Sequence, residues 1–498
     1  MRRHSLSPWL NRCGCVLLLL AAAFLRSDLS YRTPFVDEAI NMYEGWRVLN
    51  GQTTHVMKFH MGYFPFSCLP LGLAGWVGGV VYARALNAVW GVLTVWVVMM
   101  AARRLYGSIA GYVAGAMFAV FAPAIAVSTL ATYDSLSILF TSIAVYLWIE
   151  AALQGKDRMY VLGSLAMTLA VLVKYSAVMV AVATVAYGTV AAIRRASAYT
   201  GGRSPGRRIR VDGGVLRESV AAASPFVLLV LYALVYRGQL LQVWQGQILV
   251  KQSSDPEALR EILKLLARYL WLPALLALPA LLSRERRALS SGLLAVALAM
   301  VPYHLANRDS ITLWKHTCYM LVGLAPLAAG GLACLAGLLR RWLPRLNQSI
   351  ANGVLALIVV GYTGLTGQEM LFGLRSFWPD ASELIPFLRA QVTQGDVLLM
   401  EGGAVGKYYL VEKGSPGHIP EEIFDTWWYE DEHGQGVEAY KRAIGAQRFD
   451  LVVFDYAFTP DLDRDLLALM QGSYEARASF PARVFGEYGT VDVFKPIR

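Results

Sequence analysis

The feature that most limits what this chain can fold into is its succession of long apolar runs, most of them near the roughly 20 residues that a helix needs to cross a bilayer. They lie near 14–26, 84–102, 107–128, 134–153, 159–173, 175–193, 219–237, 267–283, 288–304, 317–338 and 350–367. Hydrophobic residues make up 56% of 498, and the mean hydropathy is +0.45, which excludes an ordinary soluble domain. The fold class expected is a polytopic α-helical membrane protein of about eleven spans. Residues 159–193 are divided at Lys174, because 35 helical residues would run about 52 Å, too far for one crossing. Residues 61–83, with Pro65, Pro70 and five glycines, are read as an interfacial or re-entrant part of one external loop, 27–83, rather than as a further span.

Charge sets the expected orientation. Six alternate connections, among them "ARRLYG", "RERR" and the arginine-rich stretch 193–219, hold 20 Lys+Arg, as cytoplasmic loops do. That puts the N-terminus in the cytoplasm; the membrane is expected to be the cytoplasmic (inner) one. The first apolar run is read as a retained span rather than a cleaved signal. Residues 1–372 carry 33 Lys+Arg against 15 Asp+Glu, and residues 373–498 carry 12 against 20. This shift marks a membrane domain, 1–372, followed by an acidic periplasmic or extracellular domain, 373–498. The basic excess belongs to the loops, so no nucleic-acid partner is expected. The five cysteines lie in or beside apolar runs and read as packing residues.

In the tail, "DVLLM", "FDLVVFD" and "TVDVFK" read as short buried strands, with "EAYKRAIGAQR" and "DLDRDLLALMQGSY" as helices between them. That alternation implies a small α/β domain. No glycine-rich phosphate loop follows a strand, and "EDEHGQG" is read as a solvated acidic loop rather than a metal site.

The chemistry-bearing residues gather toward one membrane face. Asp37 and Glu38 fall in the first external loop, and Asp134 begins the fourth span on the same side. Carboxylates near a bilayer are costly unless they sit at a helix end or in a wet cleft. Simpler roles exist: first-turn charge for Asp37 and Glu38, and a helix cap for Asp134. Cations share this face: Lys58, His60, Arg84, His304, Arg308, Lys315, His316 and Lys174, with Lys174 and Arg308 best explained as reaching toward headgroups. Carboxylates beside cations suit transfer of a sugar from a polyprenyl phosphate. The phosphate leaves without a proton donor and needs positive charge. The acceptor hydroxyl needs one base. Two acidic positions fit the site with or without a divalent cation. The competing class is a transporter or flippase of a lipid-linked or anionic substrate, which would place ionisable groups near the bilayer midplane.

At these residues the chain resembles a known family. "FVDEAINMYEGWRVLNGQ" resembles the first-loop signature of the protein O-mannosyltransferases and their bacterial relatives, the aminoarabinose transferases that modify lipid A, which share the membrane glycosyltransferase C superfold. "YFPFSCLPLGLAGWV", "ARALNAVWGVLTVWVVMMAARRLYG", "TLATYDSLSILF", "LVKYSAVMV" and "LWKHTCYMLVGLAPLAAG" follow in the family's order. The proline stretch reads "GYFP", without the lysine that precedes the first proline in the lipid A branch. The resemblance implies a polyprenyl-phosphate sugar donor and a lipid, glycan or protein acceptor outside the membrane. It also implies Asp37 as base, Asp134 as second acidic residue and Glu38 as completing the pair. Lys58 or His60, with Lys315 or His316 and Arg84, are the candidates to hold donor phosphate. The external domain is expected to position the acceptor.

Overall fold

The computed structural model describes residues 8–52, 68–183, 220, 223, 226–243, 245, 256–283, 286–342, 348–414, 418–426, 429–484 and 487–497. Lys58, His60 and the whole arginine-rich stretch 193–219 lie outside the described residues. The helices of the membrane part are α1 (Pro8–Phe24), α2 (Val36–Leu49), α3 (Leu69–Tyr106), α4 (Ser108–Val120), α5 (Ala122–Thr129), α6 (Asp134–Gln154), α7 (Asp157–Val173), α8 (Phe226–Val235), α9 (Arg237–Val243), α10 (Pro256–Leu282), α11 (Arg287–Leu298), α12 (Val301–Asn307), α13 (Leu313–Trp342) and α14 (Gln348–Arg375). Among the described residues, six helices are long and apolar enough to cross a membrane. The number is seven if α4 and α5, bent by 61° at Phe121, count as one.

The expected loop 61–83 is corrected from Leu69 onward, where helix α3 begins and runs 38 residues to Tyr106. Pro70 sits in its first turn, where a missing N–H costs nothing. The glycines serve two purposes. Gly78 and Gly79 break the helix, Gly79 with φ 72°. Gly72 lets α2 cross α3 backbone to backbone: a Cβ on Gly72 would fall 2.3 Å from the Gly45 carbonyl carbon, and one on Gly45 would fall 2.2 Å from the Cys68 carbonyl oxygen. At about 1.5 Å per residue α3 spans about 57 Å. It crosses the apolar layer and also provides the floor on which α2 lies. The division at Lys174 holds: α7 ends there in extended backbone before a short turn, Tyr175–Ala177.

The tail forms α15 (Leu384–Gln391), β1 (Val397–Met400), α16 (Gly403–Gly406, continued as a wider turn to Glu412), β2 (Glu422–Asp425), β3 (Glu430–Asp431), β4 (Gly434–Gln435), α17 (Val437–Gly445), β5 (Leu451–Phe454), α18 (Pro460–Met470), β6 (Tyr474–Val484) and β7 (Glu487–Pro496). Five strands make one sheet in the order β2-β1-β5-β7-β6. β2, β1 and β5 are parallel, while β7 and β6 run antiparallel. In the acidic stretch 430–436, β3 and β4 pair as a small ladder, and Asp431 takes two hydrogen bonds from Arg442.

At the carboxyl end of β1, Glu401 accepts backbone N–H bonds from Asp455, Tyr456, Phe458 and Thr459 at 2.7–3.0 Å. Burial pushes its carboxyl up, but these bonds and its acidic neighbours outweigh that and hold it below the usual range. Burial and the Glu401 charge push Asp463 up from 3.8 to about 8. The folded domain therefore keeps a proton on Asp463 that the unfolded chain releases near 3.8. Its stabilisation is complete below that pH and is lost as pH rises toward 8. Asp463→Asn, which mimics the protonated form, raises the thermal midpoint at pH 8 and leaves it nearly unchanged at pH 4; an equal difference at both values contradicts this.

Candidate active site

The first-loop helix owes its start to its own acidic pair. Glu38 reaches back from the first turn to accept a hydrogen bond from the Phe35 N–H at 2.9 Å. Negative charge there also suits the helix dipole. The adjacent Asp37 points about 100° round the helix from Glu38, since successive residues are 3.6 to a turn. The two carboxylates therefore meet different surroundings.

Glu38 has no exposed surface. Its oxygens take Arg84 Nε at 2.8 Å and Nη2 at 2.7 Å, together with the Ala131 N–H at 2.6 Å. Arg84, equally buried, also donates to the carbonyls of Leu29, Arg32 and Thr33 and lies over the Tyr31 ring. All three of its guanidinium nitrogens are thus bonded to protein acceptors. The sequence-based placement of Arg84 at the donor phosphate is corrected: a side chain with no open surface and a full set of partners has nothing to offer a ligand. Glu38 is likewise built into the loop. One turn further along α3, Asn87 donates to the carbonyls of Leu130 and Thr132 and accepts a bond from Ser135 through its own carbonyl. A single turn of α3 thereby fixes the segments that carry Asp37 and Asp134.

Those two carboxylates converge. Lys315, in the first turn of α13, lies 2.9 Å from Asp37 Oδ2 and 4.0 Å from Asp134 Oδ2. Asp134 Oδ1 is paired with Lys174, and its Oδ2 accepts from Thr132 Oγ1 at 3.1 Å. The charges alternate along one line: Asp37, Lys315, Asp134, Lys174. The Asp37 side chain is 38% exposed and that of Lys315 14%, against 2% for Asp134. The line is therefore open at Asp37 and closed at Asp134. Asp134 is the first residue of α6 and the N-cap position is Tyr133, while the Asp134 oxygens are held by Lys174 and Thr132, so the simple capping role does not describe it. Lys174, read from the sequence as a headgroup anchor, is an interior partner of Asp134. The signal was present in its position at the split between two apolar runs, where a snorkelling lysine and a buried one look alike.

His316 is buried beside Lys315, with Nδ1 2.8 Å from His304 Nε2. His304 Nδ1 lies 2.6 Å from the Asp309 carbonyl oxygen. That oxygen can only accept, so His304 carries its proton on Nδ1. The neutral pair then has His316 Nδ1 donating. Among the described residues, no group of three His, Cys, Asp or Glu side chains gathers to hold a metal ion. Between Asp37 and Asp134 the positive charge is supplied by Lys315.

Residues 78–201 match the family of dolichyl-phosphate-mannose-protein mannosyltransferases. ArnT from Cupriavidus metallidurans, solved bound to undecaprenyl phosphate, superposes with a TM-score of 0.58 at 16% identity, covering 98% of this chain and 98% of that one. The fold is that of the C-type membrane glycosyltransferases. A second example of this GT-C fold, the Archaeoglobus fulgidus oligosaccharyltransferase solved with zinc and sulfate, has a TM-score of 0.56 and 13% identity, covering 96% of this chain and 72% of that one. The mycobacterial arabinofuranosyltransferase AftD follows at 0.51 and 14%, covering 99% and 42%. No curated protein matches the chain in sequence. In the GT-C frame, the four alternating charges sit at the end of the helical bundle that carries the α/β domain: Asp134 opens α6, Lys174 follows α7 and Lys315 opens α13.

Proposed function

We propose that this protein is an inverting glycosyltransferase that moves a sugar from a polyprenyl phosphate to an acceptor hydroxyl on the outer side of the cytoplasmic membrane. The observation that carries the reading is Lys315 held between Asp37 and Asp134, with Asp37 on the open side. The acceptor oxygen attacks the anomeric carbon, its proton passes to the Asp37 carboxylate, and the bond from that carbon to the phosphate oxygen breaks with its electron pair going to the phosphate. The attack comes from the face opposite the leaving group, so the anomeric configuration inverts. The new negative charge on the phosphate is met by Lys315, which exchanges Asp37 for it as Asp37 takes up the proton. Lys174 pairs with Asp134, and Asp134 orients Lys315. His316 is a neighbouring hydrogen-bonding group for the same phosphate, and Lys58 or His60 remain candidates from the first loop.

The GT-C fold and the mannosyltransferase match over 78–201 support the reaction class. The undecaprenyl phosphate bound to ArnT supports the class of donor. The acceptor is a lipid, glycan or protein hydroxyl. The transporter reading would need ionisable groups deep in the bundle, whereas the site charges gather at helix ends. The test is incubation of the purified protein with a panel of labelled polyprenyl-phosphate sugars and acceptors. Transfer with release of polyprenyl phosphate is expected; no turnover of any such donor counts against the reading.

A further inference from the structure

We infer that the external domain positions Asp37, and that Asp380 is the residue through which it does so. This rests on the reading of Asp37 as base. The backbone that leads into α2 is held from two sides: by Arg84 of α3, through the carbonyls of Leu29, Arg32 and Thr33, and from the far end of the chain. Asp380 Oδ1 accepts from both the Thr33 N–H at 3.1 Å and Thr33 Oγ1 at 2.8 Å. Thr33 Oγ1 in turn accepts from the Ala381 N–H at 2.8 Å, and the Thr33 carbonyl accepts from Trp378 Nε1 at 3.0 Å. Arg32 donates to the carbonyls of Trp378, Ser376 and Arg483. Phe35 packs among Phe377, Trp378 and Phe458 with ring centroids 4.7, 5.4 and 6.1 Å away. Val36 lies against Gly402, the loop that leaves β1: a Cβ there would come within 3.3 Å of Val36 Cγ2.

The clamp ends one residue before Asp37. It therefore sets the height and rotation of the first turn of α2, and with them the placing of Asp37 against Lys315. In an α/β sheet the carboxyl ends of the parallel strands form the crevice where ligands usually bind. Here the loop after β1 and Phe458 beyond β5 are spent on the approach to α2. That use favours positioning the base over holding an acceptor. Burial pushes the Asp380 carboxyl up, but the bonds from Thr33 and Ser382 outweigh it and hold it below the usual range, as expected of an ionised clamp.

The test uses the full-length protein in detergent or liposomes with a donor and acceptor that the wild type turns over. Asp380→Ala is expected to lower kcat about tenfold to a hundredfold with donor KM changed less than twofold, since displacing a reacting group by about 1 Å costs on that order. It also moves the acid limb of the kcat/KM profile to higher pH, because a loosened Asp37 loses the support of Lys315. Asp380→Asn keeps an oxygen for both Thr33 donors and restores both quantities. Thr33→Val removes the hydroxyl from the other side, and the double variant Asp380→Ala with Thr33→Val is no worse than the more impaired single variant. An unchanged kcat in Asp380→Ala overturns the inference, as does a fall in rate that tracks the fraction of folded protein with the acid limb unmoved. If Asp380→Ala does not fold, Thr33→Val carries the same readouts. Full transfer by Asp37→Asn would instead remove the base itself, whatever the Asp380 variants do.

Discussion

Asp37→Asn inserts, folds with an unchanged thermal midpoint and loses sugar transfer by at least about a hundredfold, the lower end of what a positioned general base supplies. The expectation follows from placement. Asp37 is more than a third exposed, and its packing against α3 is carried by neighbours such as Ala39 and Met42, which are fully buried. Asparagine keeps the shape and an oxygen for Lys315, and Lys315 keeps Asp134 as its second partner. What is lost is the negative charge that faces Lys315 and, with it, the ability to take a proton. A steady-state rate with labelled donor, beside a thermal melt of the same preparation, separates chemistry from folding. Undiminished transfer removes Asp37 as base.

Glu38→Ala gives the opposite pattern. It leaves the buried Arg84 guanidinium without its counter-charge and the N–H groups of Phe35 and Ala131 without an acceptor. Breaking a buried pair from one side typically costs about 3–5 kcal/mol, so the variant is expected to show a sharply lowered thermal midpoint and poor yield. Its activity falls in step with the folded fraction. Glu38→Gln, which keeps one acceptor oxygen, is milder. A Glu38→Ala protein that melts like the wild type but no longer transfers sugar would instead make Glu38 a catalytic group. Two neighbouring carboxylates, one removed at the expense of rate and the other at the expense of stability, are thus told apart by one pair of measurements.

Much of this arrangement could be read from the chain. Apolar length located most of the helices, and the strands β1, β5 and β7 followed from short buried runs. The meeting of Asp37 with Asp134 followed from placing both on one face. Other features were hidden for physical reasons. Adjacent residues on a helix face different ways, so "DE" does not say which carboxylate turns inward. Arg84 looked like a loop cation because the glycines and prolines before it read as breakers, yet Pro70 sits where a helix tolerates it and Gly72 is the crossing point with α2. In the sequence Lys174 reads as a headgroup anchor because its long stem suits either role. β2 has four residues and β6 carries Pro481 on an edge strand, so neither shows a clean alternation. The grip of Trp378, Asp380 and Ala381 on Thr33 joins positions up to 348 apart in sequence, and no local pattern announces it.

The proposed reaction is one displacement at one carbon, with Asp37 as the base on the open side and Lys315 receiving the phosphate. The anomeric configuration of the product, determined by NMR after transfer from a polyprenyl-phosphate sugar of known configuration, tests this most directly. Inversion, with one polyprenyl phosphate released per sugar transferred, is the predicted result; retention of configuration would contradict it.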